Sequence, residues 1–319
     1  MSSKKARTSS RAPEIAALRS LVLDEFTRCH AHDGALETEI PGVVLYRFSA
    51  PTQLAPVFLE PRISVALQGT KRIVLGEEEY VYGDAQFFLT AVDVPVVAQI
   101  MKATRSRPYL CFILKLDLAM AREMISDFET PVNGVMPHHH GVATGTVTYE
   151  MLEAIYRLLR LHATPKDIPI LSDLIKREII YRLLTSAHGY RLRQIAFNGS
   201  YDQRLARAIA LLKQNYAAPL AVAELAHAAG MGISTLYHRF KALTAMSPLQ
   251  YQKHLRLHAA RHLMLNGACD AGSAAFEVGY ESRSQFTREY RRLFGEPPMR
   301  DIKAIRPPSS AETLREHTE

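Results

Sequence analysis

The chain has 319 residues, 47% of them hydrophobic, with 39 Lys and Arg against 32 Asp and Glu, a formal charge of +7. That length suffices for the cores of two domains, and no apolar run is long enough for a membrane span. Three cysteines, Cys29, Cys111 and Cys269, lie far apart and are odd in number, which excludes a disulfide framework and fits reduced thiols in a cytoplasmic protein.

Residues 1–12 read as a disordered basic arm, with Lys4, Lys5, Arg7 and Arg11 but no apolar core of a signal peptide. Ile15 to Cys29 spaces Ile15, Leu18, Leu21, Val22 and Phe26 as an amphipathic helix, placed outside the domain that follows. Cys29 stands between Arg28 and His30, neighbours that can lower a thiol pKa, so a redox sensor would start there; an incidental cysteine is the commoner case.

From Val43 to Leu116 the pattern changes to short runs rich in Val, Ile, Tyr and Phe. Strands are predicted at 43–48, 57–68, 72–75, 79–82, 85–89, 94–101 and 109–115, with turns at Gly69, Gly76 and Gly83. Many short strands around a small core imply a sandwich or barrel, which can enclose a small ligand among apolar walls with a few orienting polar groups. Glu60, Arg62, Ser64, Gln68, Tyr80, Tyr82 and Gln99 are the candidates for such effector contacts. On a half-exposed sheet, alternating polar residues equally face water, and the inward face stays open here. No His occurs from Val43 to Leu116, which removes the usual imidazole-rich metal site of an enzymatic barrel. No catalytic residue, metal or cofactor is therefore expected. His138, His139 and His140 follow Pro137 in a polar loop, where zinc or nickel binding is a weak hypothesis.

Two amphipathic helices are predicted next, 148–162 and 170–184, the second grouping Ile170, Leu171, Leu174, Ile175, Ile179 and Leu183 on one face. They either pack on each other or form a subunit interface. Ala187 to Ser200, with Gly189 and Asn198-Gly199, reads as a linker, which places a first domain at 13–186 and a second at 201–300, followed by a flexible tail at 301–319. The second domain opens with a helix from Tyr201 to Tyr216 and carries 13 Lys and Arg against 7 Asp and Glu, so most of the positive charge resides there.

Two helix-turn-helix patterns follow, Ala223 to Leu243 and Ala274 to Leu293, each with a Gly at the turn and a Ser opening the second helix, at Ser234 and Ser282. On those second helices Leu236 and Phe240, or Phe286, Tyr290 and Leu293, face the supporting helix. Ser234, Tyr237, His238 and Lys241 face outward in the first unit, and Arg283, Ser284, Gln285, Thr287 and Arg288 in the second. Hydroxyl, amide and guanidinium groups are what base edges and phosphates of double-stranded DNA accept as partners. A helix from Pro248 to Leu265, about 27 Å long at about 1.5 Å per residue, joins the units. Leu249, Leu255, Leu257, Ala260, Leu263 and Met264 form its apolar side.

The runs 234–243, Ser-Pro-Leu-Gln-Tyr at 247–251, Arg256-Leu257 with Ala260, 278–282, Phe294-Gly295 and Pro297-Pro298 resemble the AraC/XylS family over about a hundred residues. Two departures stand out: Ala245-Met246 where many members have a Gly before the Ser-Pro, and His238 where Arg is common. Glu60 to Gly69, Gly76 to Tyr82 and Asp93 to Val96 resemble the N-terminal, cupin-like β-barrel domain of one subgroup of AraC-type regulators. The resemblance implies a two-domain α+β protein, with an N-terminal cupin-like β-barrel carrying appended helices and a C-terminal all-α double helix-turn-helix domain. It further implies effector sensing in the barrel, homodimerisation through the appended helices, and most often activation through RNA polymerase. The alternatives are a constitutive DNA-binding protein whose barrel only dimerises, and a barrel enzyme fused to a DNA-binding module.

Overall fold

A computed structural model of the chain describes residues 12–126, 140–196 and 201–305. Residues 1–11 of the basic arm, His138 and His139 lie outside these residues, and Ala12, the last residue assigned to the arm, already belongs to a helix. Helix α1 (Ala12–Arg28) is followed by nine strands: β1 (Gly34–Glu37), β2 (Val43–Phe48), β3 (Ala55–Leu59), β4 (Arg62–Gln68), β5 (Thr70–Leu75), β6 (Glu78–Gly83), β7 (Gln86–Thr90), β8 (Val94–Lys102) and β9 (Tyr109–Lys115). Helix α2 (Leu118–Ser126), strand β10 (Val142–Thr146) and helices α3 (Tyr149–Arg160) and α4 (Ile168–Thr185) complete this half.

The strands form two antiparallel sheets, ordered β1-β2-β9-β4-β7-β10 and β3-β8-β5-β6. Their facing sides enclose Val44, Ala66, Ile73, Leu75, Tyr82, Phe88, Val96 and Ile113. The outer side of the six-stranded sheet carries Ile63, Val65, Leu67, Phe112 and Leu114 into a second core with α1, α3 and α4. Burial on both faces explains why β4 and β9 are nearly continuous apolar runs. Helix α1 lies outside the barrel as expected, with Leu18, Val22 and Phe26 fully buried, each worth about 1.5–3 kcal/mol.

The single strand predicted over 57–68 is two. Glu60-Pro61 interrupts it, because Pro61 has no N–H to donate to a ladder. Strands β1 and β10, which lack a run of β-branched residues, form the two edges of the larger sheet, paired with β2 and β7. Helix α4 divides its apolar residues. Ile175, Ile179 and Leu183 are buried, whereas Ile170, Leu171 and Leu174 are exposed, so the single apolar face predicted for it does not exist.

The second half comprises α5 (Tyr190–Ala196), α6 (Tyr201–Gln214), α7 (Val222–Ala228), α8 (Ile233–Thr244), α9 (Pro248–Leu265), α10 (Ala271–Glu277), α11 (Arg283–Phe294) and α12 (Pro298–Ile305). Two expected boundaries are corrected. The linker region 187–200 contains α5, whose Leu192, Ile195 and Ala196 are buried, and the tail expected from 301 begins inside α12. There Asp301 receives a bidentate ion pair from Arg261 at 2.8 Å and the hydroxyl of Tyr290 at 2.6 Å. In α9, Leu249 is exposed rather than apolar-facing, and Tyr251 is buried instead.

Candidate nucleic-acid interface and the junction with the barrel

Helix α9 positions both helix-turn-helix units. Ser247 caps its start by accepting from Gln250 N, while the Gln250 side chain accepts from Ser247 N, and Pro248 occupies the first turn, a capping box in which each partner satisfies an orphan N–H. The Ser-Pro-Leu-Gln run is therefore a helix start. Downstream, Arg256 donates to the carbonyls of Tyr216, Ala217, Ala218 and Gly279 at 2.8–3.0 Å, tying the turn of the second unit to the end of α6. That turn needs glycine twice over: Gly279 has φ +85°, and a Cβ there would stand 2.0 Å from the carbonyl oxygen of Ala217.

On α8, Leu236 and Phe240 are buried, while Ser234, Tyr237, His238 and Lys241 are exposed. The helix begins at Ile233, one residue before the expected opening at Ser234, and its cap position is held by Gly232. On α11, Ser282 is the cap and accepts from Gln285 N at 3.3 Å. Phe286 and Tyr290 are buried, and Arg283, Ser284, Gln285, Thr287 and Arg288 are exposed. Arg283, Ser284, Thr287 and Arg288 line an open groove of about 800 Å³, together with Arg291 and Arg292. These last two were missed from sequence, although 284, 288 and 291 share the helical spacing of one face. Two candidates already hold internal partners: Thr287 Oγ1 donates to Arg283 O at 2.9 Å and Gln285 Nε2 to Glu289 Oε1 at 3.2 Å. Glu289 also accepts from Lys253 and the Tyr280 hydroxyl. Burial opposes its ionisation, but these donors outweigh burial and hold its pKa below the usual carboxylate range.

The first unit rests on the barrel. Lys213 of α6 reaches Glu60 Oε1 at 2.8 Å and Asp93 Oδ1 at 2.7 Å, and the Tyr251 hydroxyl donates to Asp93 O at 2.9 Å. The two carboxylates respond differently. Burial raises Asp93 despite Lys213, whereas the hydrogen bond from Lys213 lowers the more exposed Glu60. At the end of α8, Gly141 N donates to Leu243 O and His140 Nδ1 lies 2.9 Å from Ala242 O. Phe58 of β3 meets Tyr251 and His258 of α9 at ring distances of 5.8 and 5.9 Å. One apolar core runs from the sheets into the first unit.

The effector candidates do not converge as a set. Arg62, Ser64 and Tyr82 turn into the space between the sheets, where Tyr82 stacks on Phe88. Tyr80 packs edge-on against Phe88, with its hydroxyl on Glu78. Glu60 belongs to the domain junction. Gln68 is committed to Pro108 O at 2.8 Å, and Gln99 donates to Thr52 O from the face opposite the buried Val96, Ala98 and Ile100. Cys29 and Arg28 both turn to Glu25, so the guanidinium that was to act on the thiol is paired with a carboxylate.

The description "AraC-type transcriptional regulator N-terminus" fits residues 39–191, and "Helix-turn-helix domain" fits residues 225–303. The transcriptional activator RhaS of Escherichia fergusonii is 29% identical over 172 residues, 54% of this chain and 59% of RhaS. The virulence regulon transcriptional activator VirF of Yersinia enterocolitica is 30% identical over 135 residues, 41% and 49% of the two chains. The chain thus spans about half to three fifths of the length of these curated relatives. Apo ToxT from Vibrio cholerae superposes with a TM-score of 0.56 at 10% identity, covering 83% of this chain and 97% of ToxT. ToxT with an unsaturated fatty acid bound superposes at 0.53 and 12% identity, covering 82% and 93%. At these identities the likeness is one of fold. With one family description on the barrel and the other on the paired helix-turn-helix units, this chain belongs to the AraC-type transcriptional regulators.

Proposed function

We propose that the protein is a transcription regulator that binds specific double-stranded DNA through α8 and α11 and is controlled by a small molecule held in the barrel. The observation that carries this reading is the pair of exposed polar helix faces, both docked on α9, the second lined by four arginines. Ser234, Tyr237, His238 and Lys241 would read one groove segment, and Arg283, Ser284, Gln285, Thr287 and Arg288 the next. Phosphate neutralisation by the arginines would make binding fall with salt. The barrel is the sensor in this reading and not an enzyme. Its junction with the first unit through Lys213 supplies a contact whose strength an effector can alter, provided the effector favours one domain arrangement by differential affinity. In ToxT the same fold holds an unsaturated fatty acid. Activation through RNA polymerase and residence in the cytoplasm belong to the same proposal, which the likeness to the activators RhaS and VirF supports.

The test is selection of genomic fragments by the purified full chain at physiological salt, beside an Arg283→Ala/Arg288→Ala variant. A short enriched motif lost in the variant supports the reading, and binding without a motif overturns it.

A second copy of the chain is the partner that α4 fits. Ile170, Leu174 and Tyr181 leave an apolar strip of that helix exposed, at 70%, 60% and 48%, and such strips mark contact surfaces. Sedimentation of Leu174→Glu as a monomer, against a dimeric parent, supports this; an intact dimer overturns it.

A further inference from the structure

The space between the two sheets is largely apolar, with a few neutral hydroxyls, and the charged side chains entering it among the described residues, Lys71 and Arg62, are both cationic. Lys71 alternates along β5 with Ile73 and Leu75, which are buried at 1% and 0%, so its side chain enters the interior. Its Nζ lies 5.7 Å from the centroid of the Tyr46 ring, and among the described residues it makes no hydrogen bond or ion pair. The charged and titratable groups acting on it are the Arg62 guanidinium, of the same sign, and the Cys111 thiol, which burial holds in its neutral form. Burial, with a smaller push from Arg62, lowers the pKa of Lys71.

Arg62 enters from the facing sheet beside the Tyr46 hydroxyl, with Nε and Nη2 on the carbonyls of Glu60 and Phe58 at 3.2 and 3.3 Å. Two polar atoms in the same interior are buried without a hydrogen bond of good geometry, the Tyr109 hydroxyl and Thr90 Oγ1. Thr90 is the register partner of Arg62, and the Tyr109 hydroxyl has only the Tyr82 hydroxyl and the Cys111 thiol beside it, both of them weak or shared acceptors. Two cations that face no carboxylate between the sheets are costly in an apolar interior. An anion entering there would pair with both.

We propose that Lys71, Arg62 and the Tyr109 hydroxyl form the anion-recognising end of the barrel's effector site, and that the effector is a small organic carboxylate on an apolar body. The carboxylate sets its oxygens against Lys71 and Arg62 and accepts from Tyr109, while its body lies against Tyr46, Phe88 and Ile113. A phosphate is a poorer fit, because the cluster offers no glycine-rich loop or run of free backbone N–H groups to surround a tetrahedral dianion. This inference rests on the reading of the barrel as the sensor domain.

The experiment is calorimetric and thermal-shift titration of the full chain with sodium hexanoate, decanoate, benzoate and phenylacetate. Each is paired with its primary amide, and inorganic phosphate serves as a further arm. A carboxylate is expected to bind at least about tenfold more tightly than its amide, a difference expected of a charge-assisted contact that the neutral analogue lacks. Lys71→Met is expected to bind acid and amide alike without a lower melting temperature in the absence of ligand, and Lys71→Arg to keep the preference. Should Lys71→Met fail to fold, Tyr109→Phe provides a second reading, with carboxylate affinity reduced about threefold or more for the lost donor. Equal binding of acids and amides, tighter binding of phosphate, an unchanged preference in both Lys71→Met and Tyr109→Phe, or no binding across the panel each overturns the proposal. A DNA motif selected without any carboxylate preference removes the ligand class alone, whereas loss of the motif removes the regulator reading.

Discussion

The backbone N–H of Gly141, in the chain entering β10, donates to the carbonyl of Leu243 in the last turn of α8 at 2.9 Å. His140 engages the neighbouring carbonyl of Ala242. A helix ends with carbonyls that have no partner within it, and here the barrel provides two. The C-terminus of the second helix of the first helix-turn-helix unit is thereby capped by the other half of the molecule. Three predictions concern this junction and one the DNA face.

Lys213 holds two barrel carboxylates, of which Asp93 is largely buried and Glu60 about half exposed. Lys213→Met should destabilise the protein by about 1–2 kcal/mol, chiefly by leaving Asp93 buried and unpaired. Glu60→Gln should cost less than half of that, since water screens an exposed pair. Urea denaturation of both variants checks the order; equal losses would place the energy in Glu60 instead.

Ala245 adopts φ +62° at the end of α8, a left-handed conformation that costs a residue with a Cβ roughly 1–2 kcal/mol. Ala245→Gly should raise stability by about 1 kcal/mol, read as a higher urea midpoint at unchanged slope. Gly76→Ala should do the reverse, because its new Cβ would lie 2.7 Å from that of Ala245. A loss of stability in Ala245→Gly would mean that the methyl contact with the Gly76 hairpin outweighs the strain.

His258 lies between Phe58 and Phe294, with Nε2 buried and unpartnered. Burial, helped by His254 and Arg261, pushes its pKa down to about 3. The unfolded chain therefore takes up a proton near pH 6.5 that the folded one refuses. This contribution to stability is complete above about pH 6.5 and falls by about 1.4 kcal/mol per unit as pH drops toward 3. His258→Leu should flatten that part of the stability profile in thermal melts from pH 7 to 4.5, and an unaltered slope would assign the acid sensitivity to other groups.

Arg288 is exposed and lines the α11 groove. Arg288→Ala should weaken operator binding about tenfold and, if it meets a phosphate, reduce the salt slope by about one. The melting profile should stay within experimental error. Unchanged affinity would move Arg288 off the interface.

The helix-turn-helix units were legible in the sequence because their signals are local. Apolar spacing on α8 and α11, a Gly at each turn and Ser282 as a cap act within about twenty residues of chain. The long helix α9 was read with both ends correct for the same reason, since Ser247, Pro248 and Gln250 form a self-contained start. Helix α5 escaped notice because Gly189 and Asn198-Gly199 flank a segment too short to display a period. The edge strands β1 and β10 escaped because an edge needs only one ladder and little apolar patterning.

The sequence by itself therefore determined the architecture of the double helix-turn-helix half, the placement of positive charge and the lack of any histidine from Val43 to Leu116. Each of these depends on residue types at short spacing. The tertiary structure alone decided which polar residues of the barrel meet. A period-2 strand states that Lys71 shares a face with Ile73 but not which face is enclosed, and only the pairing of two sheets brings Lys71 to Arg62, Tyr46 and Cys111. It likewise decided the junction, since Lys213 and Glu60 are separated by 153 positions, and nothing local in either segment encodes a contact formed when two cores close on each other.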